Sequence, residues 1–445
     1  MRLTLLDLLE ATGGGEVGGT QVGERYATYH TDSREVQPGG VFFALRGAEK
    51  DGHQFVRDAI NRGAAAVVVE RRLEAPAGIV EIVVPDSWKA LYDVAFLVLS
   101  RVNPLVVGIT GSNGKTSTKE MTAAVLATKF ETLHSAGNLN TETGVPLTIM
   151  RLDPNHAALV VEMGLQRAGD IARLVALARP RIGVVTNVGA VHMEFFATQE
   201  DLARAKGELV AGLPENGHAV LNADDRYFPV LSSLSAAPVS TFGAAGGDFR
   251  VSAYRPTAGG GCHFTVRSVE VGLAMSGRHQ ALNAAAALAV GEAAGVPLNE
   301  GGPALAGVAV EHRLQEFTTP VGFIVVDDAY NASPESMLAA FATMEERPRD
   351  GRLLAVLGHM GELGDSAGDA HRHVGEVAAR TFDRIAVIDT PLGRVLAEAA
   401  RADIVPDNAA AIAWVREHAR EGDRVLVKGS HSRRLEEVVA GLTAS

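Results

Sequence analysis

Lys115 and Thr116 follow a glycine-broken turn, Gly111-Ser112-Asn113-Gly114, and precede Ser117. These residue types at this spacing do phosphate chemistry. Glycines let backbone N–H groups converge on phosphate oxygens, and the start of a following helix adds partial positive charge. The Lys115 ammonium would reach the outer phosphates of a nucleoside triphosphate and the Thr116 hydroxyl would face Mg²⁺. The strict phosphate-loop pattern requires four residues between its first glycine and the Gly-Lys pair; Gly108 stands one position too far away. The flanking sequence supplies the needed context. An apolar run from Leu105 to Ile109 reads as a buried strand, and Met121, Ala124, Val125 and Leu126 read as one face of a helix.

A carboxylate and an imidazole are further candidates for metal: Glu162 ends the strand-like ALVVE, and His192 follows TNVGAV. Lys206, in ARAKGEL, falls on a helical pattern. Spacing alone leaves these three as capping, surface or core residues just as readily. It also leaves switches, motors, kinases and ligases open for a triphosphate binder.

The elements that must position these groups alternate strand and helix along the chain, as in parallel sheets covered on both faces. The 445 residues exceed one ordinary core, so about two to four domains are expected. Residues 1–85 read as a small α/β domain centred on TDSREVQPGGVFFALRG, with Asp32, Ser33 and Arg34 before a Pro-Gly-Gly turn and Arg46-Gly47 after a strand. Residues 86–301 read as the phosphate-loop domain, with strands at Leu105–Ile109, Ala157–Glu162, Ile182–Asn187 and Ala219–Asn222 and an Ala-rich helix over 277–295. Residues 302–445 repeat the alternation, with apolar runs entering Asp327-Asp328, Gly358-His359, Asp389 and Lys428-Gly429-Ser430. Ligands of such sheets bind beyond the carboxyl ends of the strands.

A formal net charge of −12 argues against a general nucleic-acid or anionic-membrane binder, so an anionic substrate needs a local group of Arg and Lys. The single cysteine, Cys262, excludes an internal disulfide framework and suits a reducing compartment. Asp7 and Glu10 interrupt the apolar N-terminus, so no secretory signal is expected, and other apolar runs are too short to span a bilayer. A soluble cytoplasmic protein is expected.

Across its whole length the chain resembles the Mur ligase family. The resemblance is carried by TGSNGKTSTKEMTAAVL, AGNLNTETGVPLT, EMGLQRAGDIARL, TNVGAVHMEFF, ARAKGELV, GRHQALNAAAAL, DDAYNASPESM, VLGHMGELG and LVKGSHSRRLE. GNLNTETGVP and DDAYNASPESM point to the branch that joins D-alanyl-D-alanine to UDP-N-acetylmuramoyl-tripeptide. A third-residue-adding Mur ligase would share the phosphate loop and the UDP domain but not these two pieces, and a folylpolyglutamate ligase would share the phosphate loop but lack a UDP-binding first domain.

This resemblance implies an ATP-dependent amide ligase, the enzyme of the last cytoplasmic step of peptidoglycan precursor synthesis. It implies three domains: a UDP-binding α/β domain, a central ATPase-like parallel-sheet domain and a Rossmann-like C-terminal domain, working as a monomer. It places Ser33, Arg34, Arg46 and Gly47 near UDP. Gly111, Ser112, Asn113, Gly114, Lys115, Thr116 and Ser117 would surround the ATP phosphates, with His279 and Asn283 on the adenine side. Thr116, Glu162, His192 and Lys206 would serve Mg²⁺ (two ions), Lys206 as a carbamate. Asn138, Asn140 and Thr141 would contact the muramoyl-peptide. Arg313 would approach the γ-phosphate, Asp327, Asp328 and Asn331 the nucleotide or dipeptide, and Ser430 and Arg433 the dipeptide carboxylate. Catalysis would fall to Lys115, Lys206, His192 and Arg313, assembled by domain closure. His359 and Ser333 stand where the family more often carries Asp and Asn.

Overall fold

The computed structural model describes the chain except residues 15, 19–24, 48–49, 74, 77, 192, 258, 348–349 and 445, and except the side chains of 16–18. Among these residues three large sheets follow one another along the sequence. The first has five strands, ordered Glu16–Gly18, Val80–Val83, Ala66–Val69, Val41–Phe43 and Tyr29–His30, parallel except for the first. Its middle strands are buried on both faces, which is why they read as unbroken Val, Ala and Phe.

The second sheet has nine strands. Its parallel part runs Thr132–His134, Ala158–Glu162, Leu105–Thr110, Ile182–Val185, His218–Asn222, Val239–Gly243 and Phe249–Pro256. Cys262–Val266 and Val269–Leu273 extend it antiparallel. Alternate residues of its central strands feed different cores: Val106, Leu159 and Val161 pack under Ser87–Val102, Asp170–Ala178 and Gln199–Ala211. Val107, Ile109, Ala158 and Val160 pack under Lys115–Ala127 and the Ala-rich helix Arg278–Ala293. Alanines at 284–287 let that helix lie close to the phosphate-loop helix.

The third sheet runs Gln315–Thr318, Ile324–Asp328, Arg424–Lys428, Leu353–Leu357, Arg384–Ile388 and Asp403–Val405, parallel except for its first strand. No described helix is long and apolar enough to cross a membrane.

The strands missed by the sequence reading are short or one-faced. Thr132–His134 is half-buried throughout, and Phe249–Pro256 buries mainly Phe249 and Val251, so neither shows the continuous apolar run of a central strand. One boundary also moves: Asp327 and Asp328 belong to their strand and do not follow it. The helix Val56–Asn61 is entered through a 3₁₀ turn, Gly52–Phe55, where Asp51 accepts the His53 N–H and tightens the entry.

Candidate functional site

The loop between Leu105–Thr110 and Lys115–Ala127 is built by its glycines. Gly111 sits at φ +147°, where a Cβ would overlap the Thr186 hydroxyl, and Gly114 at φ +82° would drive one into Asn283. The loop is anchored from the neighbouring strand end: Asn113 N–H donates to Asn187 Oδ1 at 3.0 Å, and Thr186 Oγ1 donates to Asn113 O at 2.6 Å. Lys115 Nζ donates to Gly111 O and Ser112 O at 2.9 and 3.2 Å. Burial lowers its pKa, opposed by Glu162 and reinforced by Arg313. Gly111→Ala is expected to destabilise the chain by about 1–3 kcal/mol, read as a lower urea midpoint. An unchanged midpoint would show that the loop can be rebuilt around a side chain.

Gly108, the glycine that broke the phosphate-loop spacing, serves packing. A Cβ there would lie 2.9 Å from Leu209 Cδ1, so its absence lets the helix Gln199–Ala211 settle onto the strand. That helix carries Lys206 into the cavity wall, where the residue is 1 % exposed. No described group forms a hydrogen bond or ion pair with its amine. Burial, reinforced by Lys115, holds the Lys206 pKa well below that of a free lysine. On the same cavity lining, Glu162 is fixed twice: Thr116 Oγ1 donates to Oε2 at 3.0 Å and Asn140 Nδ2 to Oε1 at 2.8 Å. The hydroxyl and carboxylate are hard oxygen donors that suit Mg²⁺, which commonly takes one or two protein ligands and fills the rest with water and phosphate. Among the described residues no cluster of three His, Cys, Asp or Glu could cage a metal, and His192 lies outside them.

The third sheet meets this loop directly. Ser333 caps the helix Pro334–Glu346 and donates to Asn113 Oδ1 at 3.0 Å, while Glu335 Oε1 accepts the Ala190 N–H at 2.8 Å. At the far end of that helix Glu346 pairs with Arg278 at 2.7 Å. One cavity of about 1360 Å³ therefore has walls from both units. It gathers Gly111 to Ser117, Asn138, Asn140, Thr141, Glu162, Lys206, His279, Asn283, Arg313, Asp328, Asn331 and Ser430.

Burial pushes His279 down to about 4, so its ring is neutral at physiological pH and offers hydrogen bonds without charge. The Arg313 guanidinium stacks 4.6 Å from the Tyr330 ring. Its chain neighbours His312 and Leu314 have φ of +57° and +53°, an unusual backbone that turns the arginine toward the cavity.

Several expected residues stand elsewhere. Asp327 does not line the cavity. Its carboxylate faces His312 Nδ1 at 2.7 Å and the Ala329 N–H at 3.0 Å, and burial pushes its pKa up. Arg433 is also outside the lining, its Nε buried without a partner among the described residues. Ser33, Arg34, Arg46 and Gly47 belong to the first unit, away from this cavity. The expected local positive field there is offset, because Arg34 pairs with Asp32 at 2.5 Å and Arg46 with Glu70 at 3.5 Å. The His359 ring is half-buried and its pKa is lowered by burial and by Arg433, while its carbonyl accepts the Ser430 N–H.

Residues that the sequence reading did not single out also line the cavity. Lys428 donates to Asp328 Oδ2 at 2.6 Å and to Asn331 O at 3.0 Å, and Tyr330 backs Arg313. A lysine closing a buried strand immediately before Gly429-Ser430 was the available signal for the first.

Models of the three Mur ligase regions match this chain in order: the family's catalytic domain over residues 25–102, the middle domain over 109–291 and the glutamate ligase domain over 312–431. The UDP-N-acetylmuramoyl-tripeptide–D-alanyl-D-alanine ligase of Escherichia coli is 37% identical over 423 residues, covering 93% of this chain and 92% of that one. The chain belongs to the Mur ligase family. Solved Mur ligases share its fold along nearly its full length. MurF from Acinetobacter baumannii superposes with a TM-score of 0.90 at 27% identity, covering 100% of this chain and 99% of that one. The MurF ligase from Thermotoga maritima, solved in complex with ADP, gives 0.83 at 31% identity over 94% and 97%. The three-domain α/β architecture is thus that of a Mur ligase, and the protein is a ligase enzyme.

Proposed function

We propose that this Mur ligase joins D-alanyl-D-alanine to UDP-N-acetylmuramoyl-tripeptide at the expense of ATP, in the cytoplasm, as part of cell-wall precursor synthesis. One observation supports it most: phosphate-loop groups and third-unit groups line a single cavity, with Lys115, Glu162 and Lys206 from the second unit and Arg313 and Lys428 from the third. The working divisions are those expected from the sequence: 1–85 for UDP, 86–301 for ATP and 302–445 for the dipeptide.

A resting carboxylate resists amine attack because its charge repels the nucleophile and it lacks a leaving group. In the proposed reaction a carboxylate oxygen of the tripeptide attacks the γ-phosphorus of ATP. The bond to the β,γ-bridging oxygen breaks, leaving ADP and an acyl phosphate. The dipeptide amine then attacks the acyl carbon, phosphate departs with the C–O bonding pair, and the amine loses a proton to give the amide.

Lys115 and Arg313 would spread the charge on the transferring phosphoryl group from the second and third units. Gly111 to Gly114 would supply backbone donors, His279 and Asn283 would lie on the adenine side, and Asn138, Asn140 and Thr141 would face the muramoyl-peptide. Asp328 and Asn331, tied together by Lys428, and Ser430 would meet the dipeptide. Thr116, Glu162 and His192 would hold Mg²⁺, which supplies Lewis-acid neutralisation of the phosphates. The Lys206 amine, its pKa held by burial well below that of a free lysine, fits carbamylation by CO₂, since only the neutral form is nucleophilic. The carbamate would give this wall an anion where an ammonium would repel a metal.

The test is an assay of ADP and amide formation with UDP-tripeptide and D-Ala-D-Ala together and singly. ADP is expected in step with a new amide only when both are present. Brisk release of phosphate from ATP alone would point to a regulatory NTPase and overturn the reading.

A further inference from the structure

A second lysine on the phosphate-loop helix has no part in the chemistry above. Lys119 lies one helical turn beyond Lys115 and is completely buried. Burying an ammonium is costly unless every donor is satisfied, and here three oxygens surround it. Its Nζ donates to Ser135 O at 2.7 Å and to Gly137 O at 3.2 Å, and lies 2.9 Å from Glu120 Oε1. An ammonium has three N–H donors, so the set is complete.

The two carbonyls belong to the segment that enters the substrate loop. Ser135 extends the strand pairing, its N–H donating to Val160 O at 3.0 Å, and its hydroxyl accepts the Glu162 N–H at 3.3 Å. Gly137 turns the chain at φ +51°, and Asn138 and Asn140 follow on the cavity wall. Asn140 donates to Glu162, which accepts from Thr116 on the same helix as Lys119. The contacts thus close a ring: Lys119, Ser135 and Gly137, Asn140, Glu162, Thr116 and back along one helical turn.

We propose that Lys119 is a positioning residue that locks the 135–140 loop to the phosphate-loop helix, so that Asn140 holds Glu162 against Thr116 and Asn138 is presented to the muramoyl-peptide. The role follows from the geometry, because a neutral side chain of equal length would leave two inward carbonyls unpaired and free the loop to shift. Its activity readout rests on the ligase reading above; its binding readout does not.

Lys119→Met, Lys119→Arg, Asn140→Ala and the Lys119→Met/Asn140→Ala double variant provide the test, with folding checked by thermal melting. ADP affinity is measured by calorimetry with and without Mg²⁺, and KM separately for ATP and UDP-tripeptide. In Lys119→Met the gain in ADP affinity on adding Mg²⁺ is expected to shrink by about tenfold, the range for a lost outer-shell partner of a metal ligand. The metal-free ADP affinity should stay unchanged, and the KM for UDP-tripeptide should rise more than that for ATP. Lys119→Arg should recover part of both, and the double variant should be no worse than the more impaired single one. Unchanged Mg²⁺ linkage in Lys119→Met, or losses that simply add in the double variant, would overturn the proposal. If Lys119→Met does not fold, unchanged Mg²⁺ linkage in Asn140→Ala overturns it instead. If the wild-type chain makes no amide but the Mg²⁺ linkage moves as expected, the ligase reading fails while the positioning role stands.

Discussion

Replacing Lys206 by alanine is expected to reduce amide formation by about 100-fold or more, and small carboxylates such as acetate are expected to restore part of it. The residue sits on a cavity wall with its amine desolvated and unpaired among the described residues, beside Lys115. As an ammonium it would add repulsion where phosphate charge is to be neutralised by metal. As a carbamate it supplies two oxygens, and a diffusible carboxylate in the alanine variant mimics them. Rescue by neutral amides of the same size would show that volume matters and charge does not. Incubation with ¹³C-bicarbonate should give a carbamate resonance in the wild-type chain and none in the variant.

The sign of the linkage is also testable. The folded pKa lies below the unfolded one, so between the two values the unfolded chain binds the extra proton, and stability rises with pH across that window. In CO₂-free buffer Lys206→Met should therefore be at least as stable as wild type at neutral pH, with the advantage disappearing as pH approaches the ordinary lysine value. A methionine variant markedly less stable at neutral pH would refute the buried-neutral account.

Lys115→Ala is expected to lower turnover by about 10³-fold or more, with a smaller effect on ADP binding. In the loop its ammonium bridges the Gly111 and Ser112 carbonyls, the position from which a cation can follow the phosphoryl group during transfer. The loop backbone, shaped by Gly111 and Gly114 and anchored through Thr186 and Asn187, survives the substitution, so ground-state contacts to the nucleotide are largely retained. Rapid-quench measurement of ADP formation checks this. A normal rate of ADP release would remove Lys115 from the chemical step and leave Arg313 and Lys428 as the cations serving phosphate.

What depends on local chemistry is legible in the residues alone. A buried strand, two turn-forming glycines and Lys-Thr at a helix start announce a phosphate loop, because each residue type answers a constraint only a few positions away. Glu162 was singled out only through the family resemblance: it ends a fully buried strand, but spacing alone left it a cap or core residue just as readily. The alternation of apolar strands and helices likewise marked the three α/β units.

Which polar residues share the site follows from how distant segments pack together. Asp327 and Asp328 are adjacent in sequence, but the pleat sends them to opposite faces, so Asp328 lines the cavity while Asp327 is held by His312. Gly108 looked like a misplaced loop glycine and proved to be the gap that admits the Lys206 helix. Lys119 and Lys428 read as ordinary charges on a helix and a strand end. Apart from Glu120 beside Lys119, the oxygens that satisfy them come from segments 16 to 100 residues away. Contacts across such separations are set by sheet order and by how one unit docks on another, and no local pattern encodes either.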